Sequence, residues 1–182
     1  MVFAPDVVEA LGAAAELVNS AIEPDSLTTI EQLQALFDDW GYTGSRPRTS
    51  RELEAVRAVR PRLRELLVAD RDTAVELINA ILAEQQAIPQ LVRHDHLDWH
   101  IHAISPDRPM HERTLVETAM AMVDVVRADE MRRLQLCAAQ DCDGVVLDLS
   151  RNRSRRFCST TCGNRSAQAA FRARRAHTRA CG

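Results

Sequence analysis

Lysine is absent from this sequence: all 23 residues in its Lys+Arg count are arginines. Aromatic residues make up only 4 %, which disfavours a reader of single-stranded nucleic acid, because single strands need aromatic stacking platforms. No apolar run approaches the ~18 residues of a membrane span, so a membrane protein is excluded. Residues 1–10 hold Asp6 and Glu9 but no basic residue, so we expect no secretory signal and a cytoplasmic protein.

Features typical of enzymes are also missing. The sequence has no Gly-rich phosphate loop, no activated nucleophile and no Glu placed with a His-x3-His pair. We therefore predict that the protein is not an enzyme. Its 46 % of hydrophobic residues is too high for a disordered chain. Its 182 residues suit one domain, or one domain with a small module attached.

The net charge of -3 argues against a nucleic-acid partner until it is mapped along the chain. Residues 1–130 hold 12 arginines and 23 acids, a net of -11, whereas residues 131–182 hold 11 arginines and 3 acids, a net of +8. All 5 cysteines lie in the basic segment. This asymmetry predicts two modules with different partners. A basic disordered tail on an acidic domain is the alternative.

Apolar residues recur at helical spacing through most of the acidic segment. A capping-box signature, Thr49 followed by Glu52, opens one of these helices, and Pro61 is expected to bend or shorten it. The first module is therefore predicted to be mainly helical. The predicted helices cover about 6–20, 30–40, 50–69, 71–86 and 110–130.

Residues 97–103 alternate strictly between apolar and polar, which predicts a half-buried strand with Ile88–Val92 as its hairpin partner and a turn near His94–Asp95. The apolar face, directed at the core, would carry Leu97, Trp99, Ile101 and Ala103. Side chains two residues apart on a strand lie about 7 Å from each other, so few of them could meet one ion. The polar face is interpreted in three ways: a solvated strand face, an effector or anion pocket, or a metal site. Its candidate effector residues are His96, Asp98, His100 and His102, and His94 lies on the same face.

Four cysteines form two pairs at zinc-site separation: Cys137-x4-Cys142, then 15 residues, then Cys158-x3-Cys162. A hairpin would return the chain between the pairs, with residues 145–147 as one strand and residues 155–157 running back. Disulfides or isolated thiols are the alternatives, but disulfides are rare in a reducing compartment. We predict one structural Zn²⁺ held by all four thiolates. Cys181 falls outside the pattern and is interpreted as a spare, exposed thiol.

The arginines of the basic segment fall into two sets. Arg151, Arg153 and Arg155 alternate, so an extended segment would show them on one face, beside Arg156. A helix predicted over about 166–180 carries the second set as a stripe about 80° wide beside a stripe of alanines. Arginine suits phosphate forks and guanine edges, so double-stranded DNA is the predicted partner. A solvated charge face is the alternative, although no acid follows Asp148. The stripe consists of Arg172, Arg175 and Arg179.

The run Cys162–Gly163–Asn164–Arg165 resembles the CGNR zinc-finger family, which is named for this tetrapeptide. Residues 148–158 also resemble its signature, with Phe157 where many members have Trp. Residues 1–130 resemble the ABATE-type domain that usually accompanies this finger; Val18–Asn19 and Trp40 fit that pattern more loosely. The resemblance implies a transcription regulator with a C-terminal DNA-binding finger. It also implies zinc at the four paired cysteines and an N-terminal domain for sensing or pairing.

Within this tetrapeptide, Gly163 and Asn164 suit a tight passage from the last zinc ligand into the helix, since both tolerate unusual backbone angles. Arg165 would either point toward a phosphate or brace the finger against the first domain. The residue types and their spacing leave both roles open.

The predicted fold class is mainly α. A helical N-terminal domain with a small β-hairpin covers residues 1–130, and a treble-clef-like zinc finger, a hairpin plus a C-terminal helix, covers residues 131–182. The predicted function is a DNA-binding transcription regulator whose first domain binds a small-molecule effector or forms a homo-oligomer. The alternatives are an RNA-binding or protein-docking zinc module and a metalloenzyme centred on residues 94–102.

Overall fold

The computed structural model describes residues 3–93 and 98–180, and side chains as far as Arg175. The fold is mainly α-helical with two small β-hairpins, as predicted. No helix of the described part is long and apolar enough to cross a membrane. In chain order the elements are α1 (Pro5–Asn19), α2 (Ile30–Asp39), α3 (Ser50–Val68), α4 (Arg71–Glu84), β1 (Gln90–Val92), β2 (His100–His102), α5 (Met110–Arg127), a 3-10 turn (Met131–Arg133), β3 (Leu134–Leu136), β4 (Val145–Leu147) and α6 (Thr160–Ala180).

The five helices predicted for the acidic segment are confirmed as α1–α5, but the capping differs from the prediction. The Thr49 side chain accepts a hydrogen bond from the Glu52 amide at 3.2 Å, so half of the capping box is present. The Glu52 carboxylate instead accepts from the Met110 amide at 2.8 Å, which satisfies a free N–H at the start of α5. The complete capping box is formed by Thr29 and Gln32 at the start of α2.

Pro61 does not shorten α3, which continues to Val68. Proline has no N–H, so the carbonyl of Arg57, four residues earlier, lacks its helical partner. The neighbouring Arg60 supplies a substitute, because its Nε donates to the Arg57 oxygen at 3.3 Å. The same Arg60 side chain is nearly buried and pairs with Asp25 in the loop after α1.

A single apolar core joins the helices and the second hairpin. Helix α1 packs between α3 and α5, and α4 packs on α5. Leu11, Leu17 and Met122 are fully buried in this core. Leu134 and Val145, from the hairpin of strands β3 and β4, belong to the same cluster. The hairpin that begins the basic segment is therefore seated directly on the helical core.

The first hairpin is confirmed, but at residues 99–101 its two faces are reversed from the prediction, whereas Ala103 is buried as predicted. Strands β1 and β2 pair antiparallel, with Leu91 opposite Ile101. Trp99 is 65 % exposed and Ile101 46 %, whereas His100 is only 6 % exposed. The buried His100 imidazole has the hydrogen-bond partners that burial requires: its Nδ1 lies 2.7 Å from the Asp98 carbonyl oxygen and its Nε2 lies 3.1 Å from His102 Nε2. Leu97 and the predicted turn near His94–Asp95 lie outside the described residues.

The second hairpin also differs from the prediction. Strand β4 pairs with β3, not with residues 155–157. Residues 151–157 form no strand, and Arg153 has a positive φ of 49°. Helix α6 begins at Thr160, so Gly163 and Asn164 lie inside its first turns and not in a passage before it.

Candidate zinc centre and nucleic-acid interface

The four paired cysteines come together at one point. Their Sγ atoms all lie within 4.8 Å of one another, and three pairs are 3.6–3.7 Å apart. These separations are far longer than the ~2.05 Å of a disulfide. A tetrahedron of thiolates with Zn–S bonds of about 2.3 Å has sulfurs about 3.8 Å apart. The cluster therefore fits a structural zinc ion, the predicted cofactor, with Cys137, Cys142, Cys158 and Cys162 as the residues that would hold it.

Local backbone geometry brings these cysteines together. Cys137 follows β3 directly, and its amide donates to the Gly144 carbonyl at 2.8 Å, which closes the loop that contains Cys142. A Cβ on Gly144 would lie 2.7 Å from the Cys158 sulfur, so only glycine lets the two chain segments approach. Cys162 lies in the first turn of α6, where its amide donates to Ser159 Oγ at 3.2 Å.

Protons would compete with zinc for the thiolate sulfurs. Burial raises the pKa of Cys142 and of Cys158. The Ser159 side chain, by contrast, lowers the pKa of Cys162 to about 7. Because zinc binds thiolates, the ion must displace the protons that the first two cysteines hold at neutral pH.

Three of the predicted DNA-contacting arginines are engaged within the protein. Arg155 donates to three carbonyls around the cluster: Leu147 at 3.4 Å, Phe157 at 3.3 Å and Cys158 at 3.1 Å. Arg165 donates to the Gln140 carbonyl at 3.4 Å and lies 3.8 Å from the Cys162 sulfur. Arg165 thus braces the finger internally, and not against the first domain.

Arg153, the third, is held by an acidic residue at the end of the helical segment. Its Nη2 lies 2.6 Å from Glu130 Oε1, and Glu130 Oε2 lies 3.0 Å from the Nε of the buried Arg133. Arg133 in turn donates to the carbonyls of Asp148 and Ser150. The alternating arginines Arg151, Arg153 and Arg155 therefore do not act as one face, because Arg153 and Arg155 contact different partners within the fold.

Four further arginines of the basic segment also face solvent. Arg151, Arg156, Arg172 and Arg175 are exposed. The Arg175 guanidinium lies 5.7 Å from the centre of the Phe171 ring, a cation–π contact on the surface of α6. Every residue from 167 to 175 is exposed, so α6 extends from the finger as an arm. Arg179 lies beyond the last described side chain.

The candidate effector residues do not act as one group. Asp98 is 82 % exposed and pairs with Arg93 at 3.4 Å, while His96 lies outside the described residues. His100 and His102 line an open cleft between the first hairpin and helices α1 and α5. Sequence reasoning missed the rest of the cleft, because its residues come from separate helices and loops. The one available signal was Arg113, a charged residue on the buried face of α5. The other polar and aromatic lining residues include Asp6, Glu9, Trp40, Tyr42, Glu117 and Asp124.

The fold and the cysteine cluster define a protein of one class: a helical domain that carries a structural zinc finger. Residues 133–175 match the family model "CGNR zinc finger". Residues 11–129, more than half of the chain, match the ABATE model, described as "Putative stress-induced transcription regulator". The chain belongs to the ABATE family and ends in a CGNR zinc finger, as its sequence motifs predicted. Neither description names a catalytic activity, and no curated protein matches the chain.

Proposed function

We propose that this protein is a transcription regulator that binds double-stranded DNA through its zinc finger. In this proposal residues 131–182 form the DNA-binding domain. Residues 1–130 form a domain that either binds a small-molecule effector or joins copies of the chain into a homo-oligomer. The observation that carries the proposal is the exposed arm α6, whose arginines Arg172 and Arg175 face solvent in a segment without acids after Asp148. Thiolate ligation of zinc suits a reducing compartment, so we place the protein in the cytoplasm.

The shape of α6 suits a DNA groove. Its 21 residues span about 31 Å at 1.5 Å per residue. Ala169 and Ala173, next to the arginine stripe, are exposed and do not pack on the hairpin. Small side chains there would let the helix approach base edges closely, since the major groove is about 12 Å wide and admits a helix.

The internally engaged arginines have a different role in this proposal. Arg155 and Arg165 hold the backbone around the cysteine cluster, which fixes the direction in which α6 leaves the finger. Arg151 and Arg156, exposed on the segment before the last cysteine pair, would contact phosphates and set the orientation of the finger on the duplex.

Duplex binding can be tested with variants of equal charge change. Arg172→Ala/Arg175→Ala removes two arginines from α6, and Arg48→Ala/Arg51→Ala removes two exposed arginines from the acidic segment. We expect the first variant to weaken duplex binding and lower the salt slope of log K by about 0.9 for each phosphate that is no longer neutralised. The control should bind as the wild type does. Equal binding by all three proteins would contradict the proposed role of α6.

The same assay separates this function from an RNA-binding or protein-docking module. Structured RNA and single strands are titrated beside the duplex at one salt concentration. Tighter binding to either RNA or single strands, with weak duplex binding, would favour an RNA-binding module. The surface of the finger argues against that result, because among its described side chains Phe171 and Phe157 are the aromatic ones, and Phe157 is half-buried against the cysteines.

A further inference from the structure

His100 and His102 converge more closely than two residues on a strand normally do. Their Nε2 atoms lie 3.1 Å apart and their ring centres 4.9 Å apart, against a spacing of about 7 Å for side chains that simply follow the strand. His100 is buried and His102 half-buried. Both rings therefore bend from strand β2 toward one point in the cleft between the hairpin and the helices.

The hydrogen bond on the other side of His100 fixes which nitrogen faces that point. His100 Nδ1 lies 2.7 Å from the carbonyl oxygen of Asp98. A carbonyl only accepts, so Nδ1 carries the proton and Nε2 accepts the hydrogen bond from His102 Nε2, which an entering ion would replace. A backbone carbonyl that orients an imidazole in this way is the usual second partner of a metal-ligating histidine.

Carboxylates from two helices face the same cleft. Glu9 on α1 and Glu117 on α5 line it, with Asp6 and Asp124 nearby. Together with the guanidinium of Arg113, these groups give the cleft a net negative charge while both imidazoles are neutral. Imidazole nitrogens beside carboxylates are the donor set that divalent transition metals prefer.

We infer that this cleft is a second metal site, for a divalent transition-metal ion held by His100 Nε2, His102 Nε2 and a carboxylate of Glu9 or Glu117. Metal–nitrogen bonds of about 2.0–2.1 Å place two neighbouring ligand nitrogens about 2.9–3.4 Å apart, depending on the geometry. The observed separation of 3.1 Å lies within that range. Among the described residues, only the cysteine cluster already brings three or more ligand atoms within 4.8 Å. A metal ion that binds in the cleft therefore requires the carboxylate of Glu9 or Glu117 to rotate toward the two imidazoles.

An ion at this position would tie the first hairpin to the helices that carry the finger. Glu9 and Glu117 belong to α1 and α5, and α1 packs against strand β4. Just after α5, Glu130 holds Arg153. The site is thus suited to regulation. Because it is separate from the structural zinc site, its metal content can be measured without any assay of DNA binding.

The test uses the full chain without an affinity tag, with its cysteine cluster filled by zinc and then titrated with Co²⁺. We expect one zinc and one cobalt ion per chain, with a cobalt spectrum that lacks thiolate charge-transfer bands. His100→Gln and His102→Gln should each weaken Co²⁺ binding more than about tenfold. His111→Gln, at the start of α5 and outside the cleft, should bind Co²⁺ as the wild type does.

Retained zinc and helical circular dichroism show that each variant is folded. If a variant does not fold, X-ray absorption spectroscopy of the cobalt-loaded wild type is used instead of that variant. The spectrum should show two imidazole ligands on the cobalt. The inference is overturned if the zinc-filled wild type takes up no cobalt at a saturable site, or if all three variants bind it equally. Fewer than two imidazoles on the cobalt would overturn it as well.

Discussion

Asn19, the last residue of α1, pairs through its side-chain amide with the backbone of Val145, the first residue of β4. Asn19 Nδ2 donates to the Val145 oxygen at 2.8 Å, and the Val145 amide donates to Asn19 Oδ1 at 2.7 Å. The asparagine thus satisfies both backbone groups of Val145, as a paired strand would. This contact joins residues that are 126 positions apart and fixes the finger hairpin on the helical core.

Asn19→Ala should destabilise the fold. It leaves the N–H and C=O of Val145 without their partners in a partly buried position, at a cost of about 1–3 kcal/mol in the free energy of unfolding. Asn19→Asp should also destabilise, because the carboxylate keeps the acceptor but loses the donor. Denaturant unfolding measures both changes. The exposed Asn152→Ala serves as control and should stay within about 0.5 kcal/mol of the wild type; an equally small change for Asn19→Ala would refute the anchoring role.

Substitutions of two adjacent arginines, Arg155 and Arg156, should affect different properties of the protein. Arg155→Ala removes donors to three carbonyls around the cysteine cluster, and we expect it to lower the stability of the zinc-loaded finger by about 1–3 kcal/mol. Arg156→Ala removes an exposed side chain, so stability should hold while duplex affinity falls. Thermal unfolding and duplex titration of both variants check this division. If the two variants show the same pattern, the division between an arginine that braces the cysteine cluster and one that contacts the duplex is wrong.

Asp25 should make the stability depend on pH. The hydrogen bonds and charge of Arg60, with help from the Leu27 amide and Arg57, hold the pKa of Asp25 well below its ordinary value. A carboxylate with a depressed folded-state pKa stabilises the fold above its unfolded pKa, near about 3.9, and this contribution is lost as pH falls below that value. Asp25→Asn should therefore cost about 1–3 kcal/mol at neutral pH.

The difference between Asp25→Asn and the wild type should shrink as the pH is lowered through about 4. Urea unfolding at a series of pH values gives both curves. Asp39→Asn, at an exposed position at the end of α2, is the matched control and should follow the wild type throughout. A pH-independent difference for Asp25→Asn would show that its charge is not the stabilising feature.

Zinc binding should weaken in acid. The thiols of Cys142 and Cys158 have raised pKa values because they are buried, so more protons must leave as the ion enters. Competition with a chromophoric chelator from about pH 8 to about pH 6 should show falling zinc affinity. Cys142→Ser should abolish tight binding, whereas Cys181→Ser, which belongs to neither cysteine pair of the sequence, should leave it intact. Loss of tight binding in Cys181→Ser would mean that the ligand set is wrong.

The helices and the cysteine cluster were predictable from sequence because both depend on local spacing. A 3.6-residue period defines an amphipathic helix, and the two cysteine pairs each fix two ligands. The inward face of β2 was not predictable, since strict alternation defines two faces without saying which one is buried. His100 turns inward over a cleft that is assembled from α1, α5 and the loop after α2, which are far apart in the sequence.

The roles of the individual arginines were hidden for a similar reason. A charge map shows that residues 131–182 are basic, but it does not show which guanidinium groups are used inside the fold. Arg153 meets Glu130, and Arg155 meets carbonyls next to the cysteines. These partners depend on the turn over residues 151–157, where Arg153 adopts a positive φ of 49°. Which arginines make these internal contacts became apparent only in the folded chain.

Selection of bound sequences from a random pool of duplex DNA tests whether the zinc finger recognises a DNA sequence, with zinc content measured on the same sample. We expect the zinc-loaded wild type to enrich a sequence motif at physiological salt, and Arg172→Ala/Arg175→Ala to lose this enrichment while it keeps its zinc. A pool that stays identical to the input, with the cysteine cluster of the wild type fully loaded, would contradict this expectation.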